Sequence, residues 1–235
     1  MGLLPANFIM PKTSSPVLLQ QGTDFEYRKV KRVSNSFMSR IGSLIKHGDE
    51  KQGLGAKQSE VFAFGDAIHK AILEPQNFNQ EDYKDFNIDW KMFDGMVKSC
   101  NKNERLQEYL AYSFKEVVHF FDMHDLPCKG KLDIVHVGQS LIGDLKTTSK
   151  TNYEDFAKSI KTYNYDRQMA IYCDSSGAIK AVIIGICKIN KGTELDPIHD
   201  IFFYEMTHED FEKGRSKYTE CLKRIKEHDL LRFAS

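Results

Sequence analysis

The sequence lacks the features that mark membrane, fibrous and disordered proteins. No stretch approaches the roughly 18 consecutive apolar residues of a transmembrane helix. Prolines number only 6 and glycines only 15 among 235 residues, while 41% of the residues are hydrophobic, so the chain can bury a core. It also lacks an excess of either charge, because 33 basic residues balance 33 acidic ones. We therefore expect a globular, non-membrane protein whose overall charge does not indicate a nucleic-acid partner.

Cysteines are few and widely spaced. They form no Cys-x-x-Cys pair and stand at five positions: Cys100, Cys128, Cys173, Cys187 and Cys221. Such spacing favours neither a disulfide framework nor a zinc or iron–sulfur cluster, and it is typical of buried thiols in a reducing compartment. Residues 1–16 also lack the charged start and long apolar core of a signal peptide, so the cytoplasm is the expected location.

The chain is expected to comprise an extended N-terminal arm, residues 1–33, and a single α/β domain, residues 34–235. Apolar residues at helical spacing predict helices, and runs rich in Val, Ile, Phe and Tyr predict strands. The predicted order is helix 34–48, helix 59–74, short helices within 80–110, strands 112–121, 131–137 and 141–147, helices 153–161 and 165–175, strands 180–189 and 200–206, and helix 207–228.

The helix ends carry their own signals. Ser34 or Ser36 can cap the first helix, and Ser59 is the N-cap candidate of the second. The buried stripe of the second helix is predicted at four positions: Val61, Phe64, Ile68 and Ile72.

Residues 129–148 carry the strongest chemical signal. If Gly138 and Gln139 form a two-residue type II′ turn, the register of the two flanking strands is fixed. The sequence numbers of any two residues that face each other across the hairpin then add up to 277. Asp133 then lies directly opposite Asp144, and Lys146 lies on the same face of the hairpin.

Directly opposed carboxylates repel each other, because their Cβ atoms are only about 5 Å apart. A divalent cation would turn this repulsion into ligation, and Lys146 could then orient a water molecule and balance charge on a phosphate. The alternative is a solvated strand face on which Lys146 merely neutralises two aspartates. A shifted turn would remove the pairing altogether.

Two helical pairs add weaker signals. Gly65 and His69 lie one turn apart, so that the glycine permits close approach while the imidazole projects beside it. Gln168 and Tyr172 are also four residues apart and could reach one ligand. Taken alone, a helical histidine is more often structural, and a Gln-Tyr pair more often combines a surface residue with a core residue.

Together these residues resemble the PD-(D/E)xK nuclease superfamily, and in particular its RecB-like, phage-type exonuclease branch, which includes exonuclease VIII. Four motifs occur in the family's order: Gly65-x-x-x-His69, Gly130-Lys-Leu-Asp133, Ile142-Gly-Asp144-Leu-Lys146-Thr-Thr and Gln168-x-x-x-Tyr172. The resemblance covers residues 34–206. Leu132 departs from it at the position of the namesake proline, and the second acid is Asp144 rather than Glu.

The resemblance implies a central mixed β-sheet flanked by helices and a set of site residues. Metal ligands would be Asp133, Asp144, the backbone carbonyl of Leu145 and His69, with Glu116 as an additional acid. Lys146 would be the catalytic lysine. Gln168 and Tyr172 would be motif residues near the substrate backbone. The cysteine ligands of the iron–sulfur members of the superfamily have no counterpart, so no cluster is expected.

The same resemblance implies a Mg²⁺-dependent exodeoxyribonuclease, with Mn²⁺ as a substitute, that digests linear double-stranded DNA from an end in the 5′ to 3′ direction. It further implies a homo-oligomeric ring, a single-strand annealing protein as partner, and phage-type recombination or repair in the cytoplasm of a bacterial host. A structure-selective endonuclease and a catalytically silent DNA-binding module remain the alternatives.

The neutral overall charge hides an uneven distribution. Residues 12–46 carry a local balance of +5 and residues 49–94 a balance of −5. A solvated surface would explain either block. For the basic block we predict contact with the DNA backbone, through five residues: Arg28, Lys29, Lys31, Arg32 and Arg40.

Overall fold

The computed structural model describes residues 9–10, 17–18, 27, 29–47 and 56–234. Two short strands form an antiparallel ribbon: β1 (Ile9–Met10) and β2 (Val17–Leu18). The other described strands form one mixed sheet: β3 (Phe114–Met123), β4 (Leu126–His136), β5 (Leu141–Thr148), β6 (Lys180–Asn190) and β7 (His199–Glu205). Their order across the sheet is the order of the chain. Only β5 and β6 run parallel.

The α-helices of the described residues are α1 (Asn35–His47), α2 (Ala56–Leu73), α3 (Trp90–Lys102), α4 (Glu104–Ala111), α5 (Tyr153–Thr162), α6 (Tyr165–Ser176) and α7 (His208–Glu227). Short 3₁₀ turns span Pro75–Asn77, Gln80–Tyr83 and Leu230–Phe233. Two apolar clusters form the core: α1, α5, α6 and α7 pack on one face of the sheet, and α2, α3 and α4 pack on the other. The predicted α/β fold, a mixed sheet flanked by helices, is confirmed.

Local signals explain several helix ends. Ser34 Oγ accepts the backbone N–H of Phe37 at 3.2 Å, as predicted for a cap of α1. Thr207 and Asp210 cap α7 reciprocally, each side chain accepting the other's backbone N–H. The division between arm and domain at residue 33 stays a prediction. Val33 already pairs with Cys128, so the end of the arm is joined to the edge of β4.

The predicted start of the second helix is wrong. Helix α2 already includes Ala56, so Ser59 is not its N-cap. Phe64, Ile68 and Ile72 are buried as predicted, but Val61 is 52% exposed. The buried stripe begins only at Phe64, because the first turns of α2 border an open cleft rather than the core.

The β4–β5 register is predicted correctly, although the turn is not. Ile134 pairs with Gly143 and His136 with Leu141, in agreement with the sum of 277. The connection is a 3₁₀ turn over Val137–Gln139 followed by Ser140 in the left-handed region at φ 51°. A type II′ turn would require a positive φ at Gly138, and among the described glycines only Gly177 has one. The register is unaffected because the loop contains the same number of residues.

Two further observations concern the cysteines and the apolar length of the helices. All five cysteines are free thiols, and four of them are buried. No helix among the described residues is long and apolar enough to cross a membrane.

Candidate active site

The site forms where strands β4 and β5 separate. Their ladder ends at the pair Ile134 and Gly143, one pair short of Asp133 and Asp144. Instead of a backbone partner, the N–H of Leu145 donates to Asp133 Oδ2 at 2.8 Å. From this point β5 continues beside β6 alone. The fork therefore leaves the two aspartates and Lys146 at the head of an opening between two strands.

Asp144 is 2% exposed, and both its oxygens are engaged. Its Oδ1 accepts a hydrogen bond from Gln168 Nε2 at 2.8 Å. Its Oδ2 forms an ion pair with the Lys146 ammonium. Burial raises the pKa of Asp144 to about 6, against the opposing charge of Lys146. A second cation beside this buried carboxylate would stabilise its ionised form.

Lys146 lies between the carboxylates and the cleft. Its Nζ is 5.2 Å from the ring centroid of Tyr165. Burial opposes its charge, but Asp144 and Asp133 outweigh that effect and raise its pKa above the ordinary value. The side chain therefore remains an ammonium at neutral pH.

His69 projects from α2 toward the same carboxylates. Its Nδ1 lies 3.5 Å from Asp133 Oδ2. Burial, together with the charge of Lys146, lowers its pKa to about 4. The imidazole is thus neutral at physiological pH and keeps a lone pair for a metal ion. Gly65, one turn earlier, also borders the cleft; a Cβ there would lie 3.9 Å from Thr147 Oγ1, so the packing does not require a glycine.

Glu116 joins this group from strand β3. It has φ 55°, a left-handed conformation that costs a non-glycine residue energy, and it interrupts the β3–β4 ladder where it would face Asp133. Its carboxylate forms an ion pair with Lys131. Burial and the charge of Asp133 raise its pKa to about 7. Ligand atoms of Glu116, His69 and Asp133 all lie within 4.8 Å of one another.

The donor set fits a divalent cation. Carboxylate oxygens are the ligands that Mg²⁺ and Mn²⁺ prefer, and a neutral imidazole is compatible with Mn²⁺. Burial raises the pKa of Glu116, Asp133 and Asp144 and lowers that of His69, and such shifts are common among titratable groups at a functional cleft. The carbonyl of Leu145 as a ligand stays a prediction.

Gln168 and Tyr172 lie together beside the aspartates of the fork, and contact of either with a ligand stays a prediction. Gln168 donates to Asp144. Tyr172 is 5% exposed and packs against β4, so that a Cβ on Gly130 would lie only 2.6 Å from its ring. Its hydroxyl forms a hydrogen bond with the Gln168 side chain, and burial raises its pKa, with added contributions from Tyr27, Asp144 and Asp133, which therefore lie near it. Gly130 is a glycine because the ring lies against its backbone.

The cleft above the fork has a volume of about 780 Å³. Besides Lys146 it is lined by cations that the sequence analysis did not assign: Lys70, Lys129 and Lys131. The sequence could have indicated two of these cations, because Lys129, Lys131 and Asp133 are spaced two residues apart and therefore lie on one face of β4.

Lys129 fastens the end of the N-terminal arm beside the site. It is 3% exposed, and its Nζ donates to the carbonyl oxygens of Tyr27 and Val30, both at 2.8 Å. The backbone of Val33 adds two hydrogen bonds to β4, from its N–H to Pro127 and from the Lys129 N–H to its carbonyl. Tyr27 therefore lines the cleft, although it belongs to the predicted arm.

The predicted basic strip does not line this cleft where the structure describes it. Lys29, Lys31 and Arg40 are exposed elsewhere, and Arg28 lies outside the described residues. Arg32 is engaged within the chain: it donates to the Phe121 carbonyl at 3.4 Å and lies 3.6 Å from Asp122. DNA contact by this strip stays a prediction.

Comparisons with known proteins support a PDDEXK-like fold. The family model for a "PDDEXK-like domain of unknown function (DUF3799)" matches residues 43–229. A search of the curated proteins found no match. A "putative exonuclease" from Eubacterium rectale shares the fold, with a TM-score of 0.62, 16% identity and 88% of each chain covered. A "phage related exonuclease" from Haemophilus somnus 129PT aligns over 88% of each chain at 10% identity, with a TM-score of 0.45.

Proposed function

Because this chain belongs to the PDDEXK-like domain family DUF3799, we propose that it is a divalent-metal-dependent exodeoxyribonuclease. Its substrate is linear double-stranded DNA, which it digests from an end in the 5′ to 3′ direction with Mg²⁺ as the metal. The observation that carries the proposal is the convergence of four side chains at the β4–β5 fork: His69, Asp133, Asp144 and Lys146.

Different residues of the site would bind the metal and position its ligands. Asp133, Asp144 and His69 would hold the metal, with Glu116 and the Leu145 carbonyl as further ligands. When bound, Mg²⁺ supplies Lewis-acid stabilisation of charge on the phosphate and lowers the pKa of water. Gln168 fixes the orientation of Asp144 through its hydrogen bond.

Lys146 would act directly on the reactants. Because it stays protonated and borders the cleft, its ammonium can orient an attacking water and offset the negative charge that develops on the phosphodiester. The carboxylates that raise its pKa also keep its Nζ at the head of the fork.

The biological setting belongs to the same proposal. A homo-oligomeric ring around the DNA, a single-strand annealing protein as partner and a role in phage-type recombination or repair all rest on resemblance to phage-type exonucleases.

The deciding experiment compares linear duplex DNA with the same DNA as a covalently closed circle, each with Mg²⁺ and with EDTA. We expect nucleotide release from the linear substrate with Mg²⁺ only. Equal cutting of the circle would favour an endonuclease on the same core. No cutting of either substrate, with no binding of Mn²⁺ by calorimetry, would indicate a silent DNA-binding module.

A further inference from the structure

Exposed apolar side chains border the cleft on helices from both faces of the sheet. On α2, Val61 and Phe62 are 52% and 57% exposed, and both line the cleft. At the α5–α6 junction, Tyr165 lines the cleft, and Tyr163, which is 58% exposed, lies beside Tyr165 just beyond the lining. Contiguous exposed apolar surface commonly marks a binding site.

The two tyrosines form a continuous surface. Their ring centroids are 5.7 Å apart with the planes tilted by 40°. Asn164 between them is left-handed at φ 57°, and this turn joins the two helices while bringing the flanking rings together. Because Tyr165 also contacts the Lys146 ammonium, the aromatic surface starts at the catalytic lysine and extends outward.

The cations of the cleft are already engaged within the chain. Lys129 donates to two carbonyls, Lys131 pairs with Glu116 and Lys146 contacts Asp144. Between these cations, the lining of the cleft includes the exposed side chains of Val61 and Phe62 and the ring of Tyr165. Aromatic rings beside a phosphodiester-cutting centre commonly stack on nucleobases, which expose their faces only when unpaired from the duplex stack.

We propose that Tyr163, Tyr165 and Phe62 bind unpaired nucleobases of the strand being cut, so that the cleft takes one separated strand rather than intact duplex. This inference rests on the proposed nuclease function. Lys146 and the carboxylates then meet the sugar-phosphate backbone, while the rings on the two sides meet the bases.

The test measures binding by fluorescence anisotropy in EDTA, without cleavage. Two DNA oligonucleotides of equal length and charge are compared: a single strand with all its bases, and an abasic strand. We expect the intact strand to bind at least about 5-fold more tightly, since stacking contributes 1–3 kcal/mol per base. Tyr163→Ala and Phe62→Ala should each reduce that ratio by about 5-fold and leave the abasic affinity unchanged.

Two matched variants act as controls. Tyr163→Phe keeps the ring and should keep the preference, and Tyr112→Ala removes a tyrosine that is 77% exposed but outside the cleft. Equal binding of both strands, no binding of either, or an equal loss for both strands in Tyr163→Ala would each overturn the proposal. Metal-dependent release from linear DNA would persist in those cases if the proposed nuclease function holds, so the two failures are distinguishable.

Discussion

Two groups of buried charges in this protein are paired to very different degrees. The fork cluster consists of Asp133, Asp144 and Lys146, where two carboxylates share one lysine. The helix cluster joins α6 to α7 through two ion pairs, Asp166 with Lys217 and Asp174 with Arg215.

The helix cluster is fully satisfied. Asp166 is 0% exposed, and both its oxygens accept hydrogen bonds from Lys217 Nζ, at 2.9 and 2.8 Å. Arg215 donates hydrogen bonds to both carboxylate oxygens of Asp174, and the Tyr218 hydroxyl donates to the same carboxylate at 2.8 Å. The difference teaches that burial of charge alone does not mark a functional site. The mark is a group of buried carboxylates that outnumber the cations paired with them, because the excess of negative charge favours binding of a further cation.

The largest expected effect is on catalysis at the fork cluster. Lys146→Ala should lower nucleotide release from linear DNA about 100- to 1000-fold, the cost of removing one preorganised group that stabilises transition-state charge. Lys217→Ala, in the helix cluster, should leave the rate per folded molecule within about twofold. Initial rates with Mg²⁺ measure both, and a near-normal rate in Lys146→Ala would refute its assigned role.

The second effect is on stability at the helix cluster. Asp166→Asn should lower the free energy of unfolding by about 2 kcal/mol, because it leaves a largely buried ammonium without its counter-ion. The expected cost is below that of a fully buried pair, since the Lys217 side chain is 34% exposed. Asp133→Asn should cost less or even stabilise the metal-free protein, because it removes one of two repelling carboxylates. Urea denaturation in EDTA compares the two variants, and the reverse order would contradict this distinction.

The third effect is on the stabilisation by Mg²⁺, which should differ between variants of the two clusters. Mg²⁺ at ten times its dissociation constant should raise the free energy of unfolding by about 1.4 kcal/mol. Asp166→Asn should show the full increment, whereas Asp133→Asn should lose most of it. Thermal unfolding with and without Mg²⁺ measures the increment. An unchanged increment in Asp133→Asn would place the metal elsewhere.

The smallest effect concerns Asp210, another buried but satisfied carboxylate. Burial pushes its pKa up, but hydrogen bonds from Thr207 and Tyr204 outweigh this and leave the pKa below its ordinary value. A lowered folded-state pKa gives stability that is present above about pH 4 and is lost as the pH falls through that lowered value. Asp210→Asn should therefore cost about 1 kcal/mol at pH 7, with the deficit narrowing below pH 4. Urea unfolding at several pH values measures this loss of stability. A loss that does not change with pH would show that the charge of Asp210 does not contribute to stability.

Much of the fork could be predicted from sequence because its information is local. The β4–β5 register follows from the length of one short loop and the alternation of side chains on the two strands. Asp133, Asp144 and Lys146 do come together, but the predicted direct pairing of Asp133 with Asp144 does not form, because the β4–β5 ladder ends at Ile134 and Gly143. The predicted turn type is also wrong. Their roles as metal ligands and catalytic lysine stay predictions.

Other parts of the site had no local signal. Tyr27 reaches the cleft through hydrogen bonds of Lys129, which lies about a hundred residues further along the chain. Val61 and the buried stripe that begins at Phe64 follow the same helical spacing in the sequence. Only the position of the fork decides that Val61 lines the cleft while Phe64 lies in the core. The buried position of Tyr172 likewise depends on where α6 packs beneath β4.

The sequence by itself determined the strands, the helices, the hairpin register and the set of residues that resemble a nuclease site, because each depends on spacing within a few tens of residues. Only the tertiary structure decided which of those residues line the cleft, which buried carboxylates outnumber the cations beside them, and which rings border Lys146. These properties depend on how separate elements pack together, since burial and electrostatic environment arise from neighbours that are distant in the chain.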